Sequence, residues 1–325
     1  MTLNPFPHQA SVPRPLPGQK QATTQTVSQC VISFGSNLGD RRELVAEAAR
    51  EIASHPSLIL PPGLRTSRLF ETPPIGGPGG QEPFLNAVGA FETTAPARDI
   101  LDLLQQTEQK LGRRRRLRWD ARSIDLDVVL HGNLMGGATG LVVPHPRYTA
   151  RQFVLRPACD VASEFRDPRF GWTLGELSAF LADDIPSLAL VTGSREIRQE
   201  LCGRLQEQGI AIRHASADSP PDRGWIAPEF EPASREKRSI ASQSSELEFP
   251  KCFRGQPRLL VRIHQTTDPS RWPAPHQMWP SGWGWPEYRL EIDDVDWAVS
   301  ELASALQSMQ CDAEPVTSDG RWWQG

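Results

Sequence analysis

The sequence predicts an α+β protein in two units, each combining short apolar strands with amphipathic helices. Three observations carry this. The chain has 325 residues, enough for two hydrophobic cores. Its apolar pattern switches repeatedly between short runs and helical periodicity. The pattern also restarts near Ser187, after a first set of elements has closed.

The first unit begins at Cys30. Cys30 to Phe34 reads as a strand and ends in the turn sequence Gly35-Ser-Asn-Leu-Gly-Asp40. Asp40 with Glu43 marks a helix start, and Leu44, Val45, Ala48 and Ile52 form its apolar face. Thr66 to Glu71 reads as a strand, followed by a loop rich in Gly and Pro from Thr72 to Gly80. Phe84 to Thr93 is a strand. Arg98 to Leu111 is a helix with Ile100, Leu104, Thr107 and Leu111 on one side and Gly112 at its end. Ile124 to Leu130 is the clearest strand, Gln152 to Pro157 a short apolar stretch, and Thr173 with Glu176 a capping box opening a helix to Leu181.

In the second unit, Leu188 to Thr192 reads as a strand, Arg195 to Gln208 as a helix and Gly209 to Arg213 as a strand. A polar stretch rich in Pro, Ser and Glu, residues 215–257, reads as a loop or disordered insertion. Leu259 to His264 and Tyr288 to Ile292 read as strands, and Val295 to Met309 as an amphipathic helix. The expected division is an extension over 1–28, a first domain over 29–182, a second over 187–312 and a tail over 313–325. The second domain's order of strand, Gly193-Ser194, helix, Gly209 and strand resembles half of a Rossmann-like layer, a likeness of fold that licenses no function.

Composition narrows the class. Hydrophobic residues are 38%, charged residues 23% and the net charge −4, so neither nucleic acid nor a membrane surface is an expected partner. Cys30, Cys159, Cys202, Cys252 and Cys311 are scattered with no C-x-x-C pair. That argues against a disulfide framework or zinc site and fits a reducing cytoplasm. No apolar run approaches the roughly 18 residues of a membrane span. Met1 to Ser28 is rich in Pro, Gln and Thr without an apolar core, and reads as a disordered extension, not a signal peptide.

Four features carry chemistry. Asp125-Leu-Asp127 lies on a strand, so both carboxylates share a face about 7 Å apart while Leu126 takes the other. Such a pair can hold Mg ions, whose other ligands are water and phosphate. Alone, the motif is short and common, and a solvated strand edge explains it more readily. Just upstream, Arg113, Arg114, Arg115, Arg116, Arg118 and Arg122 make a basic loop. Beside a metal site, guanidinium groups suit a polyphosphate. Pro144-His-Pro-Arg147 with Arg151 and Phe153 is the third feature, and Phe84-Leu-Asn86 the fourth. Asn86 offers a donor and an acceptor to a heterocycle edge, although His145, Phe84 and Asn86 each fit ordinary packing when taken singly. There is no G-x-x-x-x-G-K-[ST], hence no P-loop, and no G-x-S-x-G.

As an ordered set these motifs resemble the 6-hydroxymethyl-7,8-dihydropterin pyrophosphokinase family over about 150 residues. The resemblance rests on Gly35 to Asp40, Glu71-Thr-Pro-Pro74, Phe84 to Asn86, Glu108-x-x-x-Gly112-Arg113, Arg118-Trp119, Arg122 to Asp127, Val143 to Pro146 and Arg151 to Phe153. It implies a ferredoxin-like α/β sandwich on a mainly antiparallel sheet. It implies transfer of the diphosphate of ATP to the pterin hydroxymethyl group, with release of AMP and two Mg2+ ions. By position, Asp125 and Asp127 would bind the metals, and Arg113 and Arg122 would act on the phosphates. Thr72, Pro74, Phe84, Asn86, Trp119 and Phe153 would hold the pterin. Gln105, Glu108, Arg115, Arg116, His145 and Arg151 would hold ATP. Phe84 stands where the family often has Tyr.

Two other classes use similar features. Nucleotidyl transferases also hold two metals on paired aspartates, but release pyrophosphate, whereas a pyrophosphokinase releases AMP. A fold retained only for ligand binding would release neither, and the presence of Asp125, Asp127, Arg113, Arg122 and Asn86 together argues against it. For the second domain the readings are a degenerate nucleotide-binding module, or a surface for self-association or a protein partner.

Overall fold

The computed structural model describes residues 26–56, 58–113, 121–138, 140–214, 222–230, 256–265 and 284–324. Its first sheet contains β1 (Ser28–Ser36), β2 (Leu60–Thr66), β3 (Phe70–Thr72), β4 (Phe84–Thr93), β5 (Asp125–His131) and β13 (Glu314–Pro315). The order is β13-β3-β4-β1-β5, with β2 also on β4, and every pairing is antiparallel. Helices α1 (Arg41–Ala53) and α2 (Ala97–Lys110) cover one face. The Asp40 side chain caps α1 by accepting the Glu43 amide, as the sequence predicts. A hairpin of β6 (Gly136–Ala138) and β7 (Leu141–Val143) follows β5.

Strand alternation sorts the two faces. Cys30, Ile32 and Phe34 of β1 and Leu126 and Val128 of β5 pack in the core with α1 and α2. Val31 of β1 and Val88 of β4 face the opposite core. There they meet α3 (Gln152–Val161) and α4 (Leu174–Ala182). Along β5 the register to β1 shifts, Val31 pairing with Leu130 and Ile32 with Val128. Val129 is the extra residue of this bulge, so Leu130 joins Val31 on the second face.

The second sheet is parallel in every pairing. It contains β8 (Ser187–Val191), β9 (Ala211–Ile212), β10 (Trp225–Ala227), β11 (Leu259–Gln265) and β12 (Glu287–Ile292), ordered β12-β11-β8-β10-β9. Helices α5 (Arg195–Glu207) and α6 (Val295–Met309) pack against one another. The core around Leu188, Leu260 and Leu302 is continuous with that around Val31, Val88 and Leu155, so the two sheets share a core.

Three local readings change. Thr66 to Glu71 is broken into β2 and β3. Ser67 bonds Val88 through both its amide and its hydroxyl, and the bend turns Arg68 onto Asp160 of α3 at 2.9 Å. Gln152 to Pro157 continues as a helix to Val161, because Val154, Leu155 and Ala158 bury on one side despite Pro157. Within 215–257, Trp225–Ala227 is a buried strand between β8 and β9, too short to show a period of its own. The rest of that stretch, apart from 222–230 and 256–257, lies outside the described residues, as do 1–25. The four described cysteines are free, and no described helix is long and apolar enough to cross a membrane.

The segment after α6 returns to the first sheet. β13 pairs with β3, and the Val316 amide bonds Leu69 at 2.8 Å. The Trp322 ring stands edge-on to Phe34 and its Nε1 donates to the Ser67 carbonyl at 2.8 Å. Trp323 Nε1 donates to Thr66 Oγ1 at 2.7 Å. A Cβ on Gly320 would lie 1.8 Å from the Thr66 carbonyl oxygen, so only glycine permits this approach. We predict that Trp322→Ala lowers the unfolding free energy in urea by about 2–3 kcal/mol, below the usual cost for a fully buried Trp. A loss under about 0.5 kcal/mol would show that the tail is not part of the cooperative fold.

Candidate functional site

The site lies on the sheet face away from α1 and α2, at the ends of β1, β4 and β5. Because Leu126 and Val128 are buried against the helices, Asp125 and Asp127 point to the opposite side. Their side chains are 25% and 35% exposed, so neither is sealed from solvent. Gly35 of β1 pairs with Asp125 on one side and Asn86 of β4 on the other. A Cβ there would sit 3.2 Å from Asn86 Oδ1 and 3.9 Å from Asp125 Cβ, so the glycine keeps the cleft floor open.

On the β3–β4 side, Asn86 Nδ2 donates to Thr72 Oγ1 at 2.7 Å, which fixes the amide orientation. Phe84 and Phe153 line the same cleft with Asn86, Thr72, Arg122 and Asp125. Pro73 and Ile75 also face it, whereas Pro74 between them is not among its lining residues. Arg151 stands over the Phe153 ring at 5.6 Å and lies 3.9 Å from Asp127.

Guanidinium groups surround the carboxylates. Arg113 Nη2 is 2.8 Å from Asp125 Oδ1, and Arg122 Nη1 is 2.6 Å from its Oδ2. The Arg122 backbone is held by Asn37, whose Oδ1 accepts its amide at 2.8 Å and whose own amide donates to its carbonyl at 3.1 Å. Asn37 Nδ2 in turn donates to Gln81 at 2.9 Å, so the turn after β1 ties the end of the arginine loop to the loop before β4.

Behind this pair Arg113 also bonds Glu108 of α2. Gln105, Glu108 and Arg113 line a second, adjoining cleft. Glu108 is buried and accepts the Leu126 amide at 2.8 Å. Burial raises its carboxyl to about 7, against the opposing pull of Arg113 and the Leu126 amide.

His145 is held by its amide on the Val129 carbonyl at 2.9 Å. Its Nδ1 accepts the Arg147 amide at 3.2 Å, which leaves the proton on Nε2, 3.7 Å from Asp127. Burial and the charges of Arg151 and Arg147 hold the ring well below the usual imidazole value, so it is a neutral donor.

Asp125 and Asp127 are the side chains that could hold a metal. Among the described residues no group of three or more His, Cys, Asp and Glu converges. Two partly exposed carboxylates without a closed ligand cage suit Mg, which retains water and phosphate ligands. The sequence-predicted Arg115, Arg116 and Trp119 lie outside the described residues.

Sequence reasoning missed two groups. Asn37 lies in the turn Gly35 to Asp40, but its use depends on a segment 85 residues away, which no local pattern reveals. Tyr288, Glu301, Ser304, Ala305 and Ser308 of the second unit also line the cleft. Helical periodicity explains α6 as ordinary packing and gives no sign of this wall.

A family model described as 7,8-dihydro-6-hydroxymethylpterin-pyrophosphokinase (HPPK) matches residues 31–163. A 2-amino-4-hydroxy-6-hydroxymethyldihydropteridine pyrophosphokinase of Pseudomonas aeruginosa is 37% identical over 142 residues, 44% of this chain and 85% of that relative. One of the same name from Bacillus subtilis is 35% identical over 133 residues, 41% of this chain and 77% of the relative. A bifunctional protein FolKE of Lactococcus lactis subsp. cremoris is 27% identical over 212 residues, 65% of this chain, which spans only 58% of that relative's length.

The Glu108 environment gives a signed pH prediction. A carboxyl raised to about 7 from an ordinary 4.5 holds its proton more tightly in the folded state. Its contribution is therefore fully present below about 4.5 and is lost as pH rises through about 7. The stability of the native protein relative to Glu108→Gln should fall between pH 5 and pH 8 in paired denaturant titrations. A difference that stays constant, or grows with pH, would refute this environment.

Proposed function

The chain belongs to the 7,8-dihydro-6-hydroxymethylpterin-pyrophosphokinase family, and we propose that it transfers the diphosphate of ATP to the hydroxymethyl group of 6-hydroxymethyl-7,8-dihydropterin, releasing AMP, in tetrahydrofolate biosynthesis. One juxtaposition carries this reading. The pair Asp125 and Asp127, with Arg113 and Arg122, stands at the edge of a cleft lined by Asn86, Phe84 and Phe153. An amide fixed by Thr72 and two aromatic rings suit a flat heterocycle with donors and acceptors. Carboxylates ringed by guanidinium groups suit a metal-bound polyphosphate.

The roles follow from this placement. Two Mg2+ ions held by Asp125 and Asp127 would neutralise phosphate charge and polarise the phosphorus under attack. Arg113 and Arg122 now share Asp125, and their forks can turn from carboxylate to phosphate oxygens. Neutral His145 and Arg151 flank Asp127, where they would bind ATP oxygens. Gln105 and Glu108 would take the nucleotide side, in the adjoining cleft. Thr72, Pro74, Phe84, Asn86 and Phe153 would seat the pterin, with Pro73 on the same wall. Phosphoryl transfer asks for position and charge neutralisation more than covalent help, so no dedicated base is required.

The first antiparallel sheet with α1 and α2 supports a ferredoxin-like reading, and the parallel second sheet that of half a Rossmann-like layer. We propose that 29–182 forms the transferase domain and 187–312 a second domain, with the tail as an added edge strand of the first sheet. A cytoplasmic location accords with the free cysteines.

Incubating the protein with Mg-ATP and the pterin alcohol should release AMP only when the pterin is present; pyrophosphate instead of AMP would point to a nucleotidyl transferase. Asp125→Ala and Asp127→Ala should each lower turnover on the order of 10²-fold or more. Near-normal turnover in either variant would end the metal assignment.

A further inference from the structure

The cleft has one wall that the family match over 31–163 does not reach. Glu301 on α6 is 1% exposed and lines this cleft together with Thr72, Phe84 and Asn86. Its Oε1 accepts two hydrogen bonds, from Arg147 Nε at 2.7 Å and from the Tyr288 hydroxyl at 3.1 Å. Its Oε2 is equally buried and has no hydrogen-bond partner among the described residues. Two donors therefore anchor one oxygen and leave the other without a donor. A buried carboxylate oxygen left this way is costly unless a donor arrives.

We propose that Glu301 is a substrate-binding residue, its Oε2 accepting a hydrogen bond from a ring N–H of the heterocycle seated against Asn86 and Phe84. This rests on the pterin reading above and deepens it. The second domain is then more than an attached module, because it supplies a wall and an acceptor to the first domain's cleft. An acceptor-only group selects for ligands with N–H or O–H donors on that side and against those presenting only acceptors. Arg147 and Tyr288 act as positioning residues, since each touches Oε1 and holds the carboxylate in place.

Glu301→Gln separates the two oxygens. The amide oxygen can keep the bonds from Arg147 and Tyr288, while an NH2 donor replaces Oε2. In the full chain we expect binding of 6-hydroxymethylpterin, followed by its fluorescence, to weaken about tenfold or more. KM for the pterin substrate should rise in step, while KM for ATP and the melting temperature stay close to those of the native protein. Pterin affinity within about twofold of native would overturn the assignment, and so would equal losses for pterin and ATP, which would mark a structural role. If the Gln variant melts early, Tyr288→Phe serves instead. It keeps the carboxylate and removes one anchor, and should weaken pterin binding selectively; unchanged pterin affinity there would also overturn the assignment. A native protein that binds no pterin would sink the proposed function itself. A native protein that binds it, with a well-folded Gln variant binding equally well, would sink only the role of Glu301.

Discussion

Burying Leu126 and Val128 against α1 and α2 fixes the direction of Asp125 and Asp127, and the rest of the site is arranged around that choice. Side chains on a strand alternate, so a slip of one residue along β5 would drive both carboxylates into an apolar core. Nothing in that core could neutralise them, and burial of unpaired charge is prohibitive. The hydrophobic pattern thus protects the register on which the proposed chemistry depends. The bulge at Val129 comes after the two aspartates, so it redirects Leu130 without disturbing them.

Several long-range connections converge on the same strand ends. Asn37 holds the Arg122 backbone, His145 hangs from Val129, and Glu108 accepts the Leu126 amide. Each joins a loop or helix to β5 or to its upstream flank. The tail extends this logic to the far edge of the sheet. By pairing with β3 and placing Trp322 against Phe34, it ties the end of the chain to the first core. The path from α6 to β13 is short, so the added strand and the cleft wall are close neighbours along the chain.

Much of the first unit was legible because its signals are local. The cap at Asp40, the capping box at Thr173 and the faces of α1 and α2 all depend on residues within a few positions. Asp125 and Asp127 were legible as a pair because strand geometry alone puts them on one face. Other features were hidden because they depend on distant partners. Trp225–Ala227 is a strand only because β8 and β9 flank it. The break between β2 and β3 is set by Ser67 bonding Val88. Glu301 is 154 residues from Arg147, and a single Glu on an amphipathic helix is ordinarily a solvent-facing residue.

The electrostatics of the cleft divide along the same lines. Around Asp125 and Asp127, carboxylates and guanidinium groups are partly exposed and share partners, so they can exchange one charged group for another at modest cost. Glu108 and Glu301 are different, because burial leaves them little freedom to solvate their charge. Glu108 responds by holding its proton to about 7, beneath the strand that carries the aspartates. Glu301 is anchored at one oxygen by a guanidinium and a phenol. Anchoring Oε1 in this way leaves Oε2 as the oxygen still in need of a donor. On the proposed reading, the partly exposed end of the cleft rearranges charge, and the buried end reads the shape and hydrogen-bonding pattern of a ring.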